Sequence, residues 1–234
     1  MIALLGIDCA TNPRKTGLAL GKLCGEVVHI MRSATGTGDE TPAMIAANWL
    51  NDYDEALIAL DAPLGWPQKM GEYLSAHRAG HPVQAEANQL FRRVTDVAIK
   101  QRLKKQPLDV GANLIARTAV AALELLDQIR RYTERPIPLA WAPTETERWR
   151  AIEVYPAATR IAHGAPDVGG SLEGLDELLD CSAVLPALTQ SKDAVDAAVC
   201  VLAAADFLCG RAIPPIDHNI VLIEGWIWAP MLRQ

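Results

Sequence analysis

Two short hydrophobic runs, each ending on an aspartate, are the clearest pattern along the chain. Residues 2–7 (IALLGI) and 56–61 (ALIALD) contain almost no polar side chain before they reach Asp8 and Asp61. Continuous apolar runs of this length are typical of strands that are buried on both faces of a sheet. The pattern therefore predicts two central strands, each with a carboxylate at its carboxyl end.

The segments between these runs predict how the two strands are arranged. Residues 17–23 and 26–32 have the pattern of two further strands joined by a tight turn. Residues 41–51 (TPAMIAANWLN) begin with a capping threonine and a proline, which suit the first turn of a helix. Short hairpin links give an antiparallel meander, whereas a helix between two strands implies parallel pairing. We expect a meander with the strand at 56–61 added parallel to the first strand.

The strongest helix signal lies near the end of the chain, in SKDAVDAAVCVLAAADFLCG. Ser191 can cap it, Gly210 can end it, and its apolar residues lie on every side, so we expect it to pack against the sheet. The other predicted elements are an amphipathic helix at 112–130, a strand at 152–155, a short helix at 156–164, an interrupted helix at 171–190 and a strand or hairpin at 219–230.

The length and composition predict one domain over residues 1–234, because half of the residues are hydrophobic. The formal net charge of −6 gives no global support for nucleic-acid binding. The five cysteines are scattered without a C-x-x-C pair, so neither a zinc site nor a disulfide framework is indicated. We expect a cytoplasmic protein without a signal peptide or a membrane-spanning segment.

One stretch departs from the acidic average. Residues 61–110 contain eight basic and five acidic side chains. We expect a mostly helical insertion over about residues 66–110 that covers the acidic side chains described next and balances the charge of a phosphate-containing substrate. The candidate substrate-binding residues are Arg92, Arg93 and Lys100. For the two arginines, structural ion pairs with Asp96 or Glu86 are an equally supported alternative.

Five acidic side chains lie in otherwise apolar surroundings and are the candidate catalytic residues: Asp8, Asp61, Asp193, Asp196 and Glu153. A buried carboxylate without a partner is costly, so such groups are paired, protonated or bound to a metal. Asp193 and Asp196 are three residues apart and share one face of a helix. Because parallel strands meet at one edge of a sheet, we predict that the four aspartates converge there and hold Mg²⁺ or Mn²⁺.

Each of these acids also has a simpler interpretation when it is considered alone. Asp8 or Asp61 can cap the turn that follows its strand. Asp193 can favour the helix dipole in the first turn, and Glu153 can lie on an edge strand facing water. Their joint placement is what favours the metal site.

The chain resembles the domain-of-unknown-function family 429 in the elements GIDCA…TGLAL, ALIALDAPLGWP, FRRVTD, EVYPAA, KDAVDAAVCVLAA and EGWIWAP. The resemblance implies an α/β, ribonuclease-H-like mixed sheet flanked by helices, and a nuclease activity. It also implies that Asp8, Asp61, Asp193 and Asp196 are the metal-binding carboxylates. Glu153 lies in the family motif EVYP, which implies a role without defining it. The expected function is thus a metal-dependent nuclease or phosphodiesterase that acts on nucleic acid or another phosphodiester.

Two other functions stay open at this point. A non-catalytic ribonuclease-H-like domain that binds a ligand or partner would suit the pI of 5.4 and three tryptophans that look exposed, Trp66, Trp226 and Trp228. A phosphotransferase related to actin and sugar kinases would suit the stretch GIDCATNPRKTGLALG, which resembles a phosphate-binding hairpin. The sequence contains no second copy of that domain, which disfavours the phosphotransferase.

Overall fold

The computed structural model describes residues 2–111 and 113–232. Its strands are β1 (Ile2–Asp8), β2 (Gly17–Cys24), β3 (Val27–Thr35), β4 (Glu55–Asp61), β5 (Trp149–Glu153) and β6 (Leu179–Asp180). Its helices are α1 (Pro42–Leu50), α2 (Gln68–Leu74), α3 (Ala87–Phe91), α4 (Val94–Leu103), α5 (Asn113–Thr133), α6 (Pro156–Ala162), α7 (Leu185–Leu188), α8 (Lys192–Leu208) and α9 (His218–Glu224). A short 3₁₀ turn, Pro13–Lys15, follows β1.

The strands form one mixed sheet with the order β5-β4-β1-β2-β3-β6. Strands β1, β2 and β3 pair antiparallel as a meander, and β4 pairs parallel with β1 after the crossover through α1. Strand β5 continues the parallel part beyond β4, and β6 pairs with β3 at the other edge. The meander and the parallel addition confirm the predicted fold class, an α/β ribonuclease-H-like sheet flanked by helices.

Helix α8 lies directly on one face of the sheet because two glycines leave room for it. A Cβ atom at Gly6 would overlap the carbonyl oxygen of Ala197, and one at Gly17 would overlap the carbonyl oxygen of Asp193. Gly17 is also the partner of Asp8 in the pairing of β1 with β2. The close packing therefore brings the first turns of α8 beside the carboxyl end of β1.

The opposite face of the sheet is covered by α1 and α5. Their apolar side chains, including Ile45 and Leu126, form a core with Leu5 of β1 and Ile58 of β4. Helix α5 agrees with the helix predicted at 112–130, of which residue 112 lies outside the described residues. Both faces of β1 and β4 are thus buried, which explains why these strands contain no alternating polar positions.

Three sequence predictions need correction. Residues 219–230 begin as helix α9 and continue as extended chain with isolated bridges to the sheet, because the apolar residues pack on neighbouring helices as well as on β5. The range 171–190 is mostly irregular, with the two-residue strand β6 and the short helix α7. The segment 66–110 contains α2, α3 and α4, but its connecting chain makes it about half helical.

The exposed-tryptophan argument for a pure binding domain is wrong for two of the three side chains. Trp226 and Trp228 are buried. The ring of Trp228 packs edge-to-face on Phe207 of α8, with ring centroids 4.7 Å apart. No helix within the described residues is long and apolar enough to cross a membrane.

Candidate active site

Asp8 and Asp61 stand side by side at the carboxyl ends of two parallel strands. They are direct partners in the pairing of β1 with β4. Neighbouring strands lie about 4.8 Å apart, and directly paired residues project from the same face of the sheet. That face is the one covered by α8. The two carboxylates predicted from the hydrophobic runs are therefore brought together.

Helix α8 adds two further carboxylates to this edge. Asp193 lies in its first turn and Asp196 one turn later, where it is buried. The charge of Asp196 acts on both Asp8 and Asp61, whereas that of Asp193 acts on Asp8. The four predicted aspartates thus form one electrostatic cluster, with Asp193 at its margin.

Burial and mutual repulsion raise the pKa of both strand-end carboxyl groups. Burial is the larger cause at Asp8, and Asp196 and Asp193 add to it, so that its pKa rises to about 8. The pKa of Asp61 also rises well above its usual value, first because of burial and then because of Asp8. Without a counter-ion, this edge of the sheet therefore favours the protonated acids at neutral pH.

A buried arginine supplies part of the missing positive charge. The guanidinium of Arg160, in α6, donates to Asp196 and to the carbonyl oxygen of Ser171, the latter at 3.1 Å. Asp196 also accepts the Gly170 N–H at 2.8 Å. Arg160 lowers the pKa of Asp8 and Asp61, but less than burial and the other acids raise it. Arg160 thus orients Asp196 and partly neutralises the cluster.

The raised pKa of Asp8 predicts how stability depends on pH. In the absence of metal, Asp8 keeps its proton to about pH 8 in the folded chain but loses it near 3.8 when the chain is unfolded. Between these values the folded state binds more protons, so the free energy of unfolding should fall by roughly 1.4 kcal/mol per pH unit. The stabilisation is complete below the lower value and is lost as the pH rises through the upper one. Urea unfolding in chelator from pH 5 to 8 should give a shallower slope for Asp8→Asn, and parallel profiles would contradict the assignment.

Asp8 and Asp61 open into a pocket of about 220 Å³. Apolar side chains between α4 and α5 and at the start of α5 form part of its wall: Pro107, Leu108 and Ile115. Tyr155 also lines the pocket, and its pKa rises to about 12 because of burial and the charge of Asp61. The Tyr155 hydroxyl therefore keeps its proton and can act as a hydrogen-bond donor there.

Glu153 lines the same pocket but has a different environment from the aspartates. In the pairing of β4 with β5 it lies beside Leu60, so it projects from the face opposite to Asp61. Its oxygens accept two hydrogen bonds from Arg93, at 2.7 and 2.9 Å, and one from the Leu64 N–H at 3.0 Å. Strand alternation thus directs Glu153 away from Asp61 and into an ion pair, although the charge of Glu153 still contributes to the raised pKa of Asp61.

Arg93, a predicted substrate-binding residue, is fully buried. Besides the two bonds to Glu153, it donates to Asp96 at 3.0 and 3.3 Å and to the Glu224 carbonyl oxygen at 3.1 Å. These contacts use all five N–H donors of the guanidinium group. The structure shows the ion-pair alternative, with Asp96 as one partner. Because Arg93 also lines the acidic pocket, substrate binding by Arg93 stays a prediction.

Arg92 and Lys100 lie outside the acidic pocket. Arg92 is partly buried and pairs with Asp109 at 3.1 Å. Lys100 is exposed on α4. Both line a separate, open groove on the surface of the segment 66–110. They are not in contact with the carboxylate cluster, although the groove adjoins the pocket.

Sequence reasoning missed two residues that organise the site. Arg160 carries no local signal for its ion pair with Asp196, which is 36 residues away. Glu224, the last residue of α9, is buried, and its two oxygens accept the N–H groups of Gln68 and Val94 at 2.8 and 2.7 Å. One carboxylate thus caps the first turns of α2 and α4. The sequence signal that could have identified Glu224 is its position as an acidic residue within an otherwise apolar run.

The topology and the carboxylate cluster define the class of the protein as a ribonuclease-H-like α/β domain with an acidic pocket at the carboxyl ends of its parallel strands. The sequence matches the family model described as "Protein of unknown function (DUF429)" over residues 6–219, and the chain belongs to that family. No curated protein matches the chain significantly.

One solved structure that aligns with the chain is "T. thermophilus RuvC in complex with Holliday junction substrate". The alignment covers 92% of this chain and 100% of that chain, with 10% sequence identity and a TM-score of 0.39.

Proposed function

We propose that this protein is a metal-dependent nuclease or phosphodiesterase. The observation that carries the proposal is the pairing of Asp8 with Asp61 at adjacent strand ends, with Asp196 acting on both from α8. Groups whose pKa is raised by burial and like charges inside a pocket are typical of functional sites. The positive charges of Arg160 and Lys192 offset only part of the acidic charge, because the pKa of Asp8 still rises to about 8, and a bound divalent cation would favour the ionised carboxylates.

The donor set fits a hard cation. Mg²⁺ and Mn²⁺ prefer carboxylate oxygens, and Asp8, Asp61 and Asp196 would hold the ion, with Asp193 at the margin. Among the described residues, no group of three or more acidic, histidine or cysteine side chains is arranged so that it could hold a metal ion as it stands. Asp196 is held by Arg160 instead. When bound, the ion would supply a water of lowered pKa and positive charge for a leaving oxygen.

The residues of the chain have separable roles in this proposal. Asp8 must lose its proton before it can act as a ligand, so that metal binding should release protons at neutral pH. Arg160 holds Asp196 in position, and the Tyr155 hydroxyl can donate to a phosphate oxygen. The unpaired cysteines are consistent with a reducing cytoplasm as the place of this activity.

A direct test combines metal binding with a cleavage assay. Labelled single-stranded and duplex DNA and RNA, and a small phosphodiester, are incubated with Mn²⁺, with Mg²⁺ or with chelator. We expect cleavage only with metal, together with a higher melting temperature, because a ligand at about 100 times its Kd stabilises the fold by about 2.7 kcal/mol. Asp196→Asn should reduce both effects.

The matched control for this test is Asp52→Asn, because Asp52 is exposed and remote from the pocket lining. It should behave like the wild type. If no substrate is cleaved and metal does not change the melting temperature, the proposal is contradicted and a non-catalytic binding domain is favoured.

A further inference from the structure

A second concave surface adjoins the acidic pocket, and the charged side chains that line it in the described part of the chain are all cationic. This basic groove, of about 530 Å³, is lined by the side chains of Arg92, Lys100 and Lys104. Its other polar side chains are the amides of Asn88, Gln101 and Gln106. No acidic residue is among the described residues that line it, although the chain as a whole has a formal net charge of −6.

Two of the three charges of the basic groove lie at the carboxyl end of α4, and the third, Arg92, lies just before this helix. Lys100 and Lys104 are four residues apart, which brings them to the same side of the helix end. Lys100 is exposed and has no ion-pair partner within the described part of the chain. Arg92 lines the same groove while its Nε atom donates to Asp109. The groove therefore offers a row of positive charge that the fold itself leaves largely unneutralised.

The basic groove and the acidic pocket share one wall. Gln106 lines the groove, whereas the next two residues, Pro107 and Leu108, line the pocket. Consecutive Cα atoms are about 3.8 Å apart, so the wall is only one or two residues thick. Leu108 is 66% exposed on this wall. The exposed Leu108 therefore lies beside the boundary between the acidic pocket and the basic groove.

We propose that the basic groove binds the phosphodiester backbone of a nucleic-acid single strand whose next nucleotide occupies the acidic pocket. This inference rests on the proposed nuclease function and narrows its substrate to single-stranded polynucleotides. Lysine side chains neutralise backbone phosphates without reading sequence. The small, partly apolar pocket suits one unpaired base beside a phosphate, because base faces pack on aromatic and apolar side chains. A duplex would first have to unpair and unstack that base, which costs free energy that a single strand does not spend.

The test compares two charge reversals on the same helix, Lys100→Glu and Arg102→Glu. Both residues are exposed in the last turn of α4, and each change alters the net charge equally. Lys100 lines the basic groove, whereas Arg102 points elsewhere on the helix and does not line it. Affinity for labelled single-stranded DNA and RNA is measured in chelator by fluorescence anisotropy, over a series of salt concentrations. Comparing the DNA with the RNA oligonucleotide shows whether the groove prefers a deoxyribose or a ribose backbone.

Lys100→Glu should weaken single-strand binding roughly fivefold or more and lower the slope of log affinity against log salt by about 0.7. Arg102→Glu should stay close to the wild type. Equal losses in the two variants, or duplex binding as tight as single-strand binding, would overturn the inference.

A kinetic readout separates this inference from the proposed function. With Mn²⁺, Lys100→Glu should raise KM for a single-stranded oligonucleotide and leave hydrolysis of bis(4-nitrophenyl) phosphate unchanged, because the small ester does not reach the basic groove. An equal loss on both substrates would overturn the inference while the nuclease proposal stands. If nothing is cleaved but oligonucleotide binding still depends on Lys100, the nuclease proposal fails and the single-strand groove is supported.

Discussion

Replacing Asp8 by asparagine should make the metal-free protein more stable while it removes the response to metal. Asparagine keeps the shape of the side chain but cannot carry the charge that burial, Asp196 and Asp193 disfavour. At pH 7 the gain has an upper bound of roughly 4 kcal/mol, because each pH unit between the folded and unfolded pKa contributes about 1.4 kcal/mol. For a chain of this size that corresponds to a rise of several degrees in the melting temperature.

The response to metal and the cleavage activity should both fall in Asp8→Asn, whereas the stability of the metal-free chain should rise. The Asp8→Asn chain loses one of the carboxylates proposed to hold the ion, so the metal-dependent melting shift should disappear. Phosphodiester cleavage should fall roughly a hundredfold or more, because even residues that only support metal ligands account for 10- to 100-fold. The measurements are melting curves in chelator and in Mn²⁺, together with the cleavage assay. A stabilising substitution that abolishes function would identify the aspartate pair as a site maintained at the expense of stability.

Asp52→Asn serves as the control, since it removes the same charge from an exposed position. It should change neither the melting temperature in chelator nor the metal response. If Asp8→Asn destabilises the chain and retains the full metal shift, Asp8 is a turn-capping residue, which is the simpler interpretation that the sequence allowed.

The sequence predicts the central part of the fold and the aspartate pair well, because these depend on local patterns. An apolar run of six or seven residues that ends in Asp8 or Asp61 indicates a buried strand, and a helix between the two strands implies parallel pairing. Parallel pairing then brings the two strand ends together in the structure. The small and apolar residues of α8 likewise predict that it packs on the sheet, as Gly6 and Gly17 allow.

The surroundings of the aspartates could not be predicted in the same way, since they depend on contacts between distant parts of the chain. Arg93 is 60 residues from Glu153, and only the folded chain shows that Arg93 uses all its donors internally. The register of β5 against β4 decides that Glu153 projects away from Asp61. The hydrophobic pattern of the sequence contains no information about how β5 is aligned with β4. The helical start of residues 219–230 was missed for a similar reason, because buried helices and strands share the same apolar composition.

Replacement of Arg93 by glutamine should be among the most destabilising single changes in the chain. Arg93, Glu153 and Asp96 are all buried, with N–O distances of 2.7 Å between Arg93 and Glu153 and 3.0 Å between Arg93 and Asp96. Removing the cation leaves two buried carboxylates without a counter-charge, which typically costs about 3–5 kcal/mol. The loss in the free energy of unfolding should be smallest at acidic pH. It should grow as the pH rises above about 4.3, where free glutamates ionise.

The neighbouring Arg92→Gln provides the matched control for this change. Arg92 is partly exposed and has one ion-pair partner, Asp109, so its loss should cost about 1 kcal/mol or less. Urea unfolding of both variants from pH 4 to 8 measures the difference directly. Because Arg93 joins α4 to β5 and to the carbonyl of Glu224, the Arg93→Gln chain should also lose protection of amide hydrogens in α4 before the rest of the sheet. An Arg93→Gln chain with normal stability but weaker oligonucleotide binding would instead show that Arg93 contacts substrate, as the sequence first suggested.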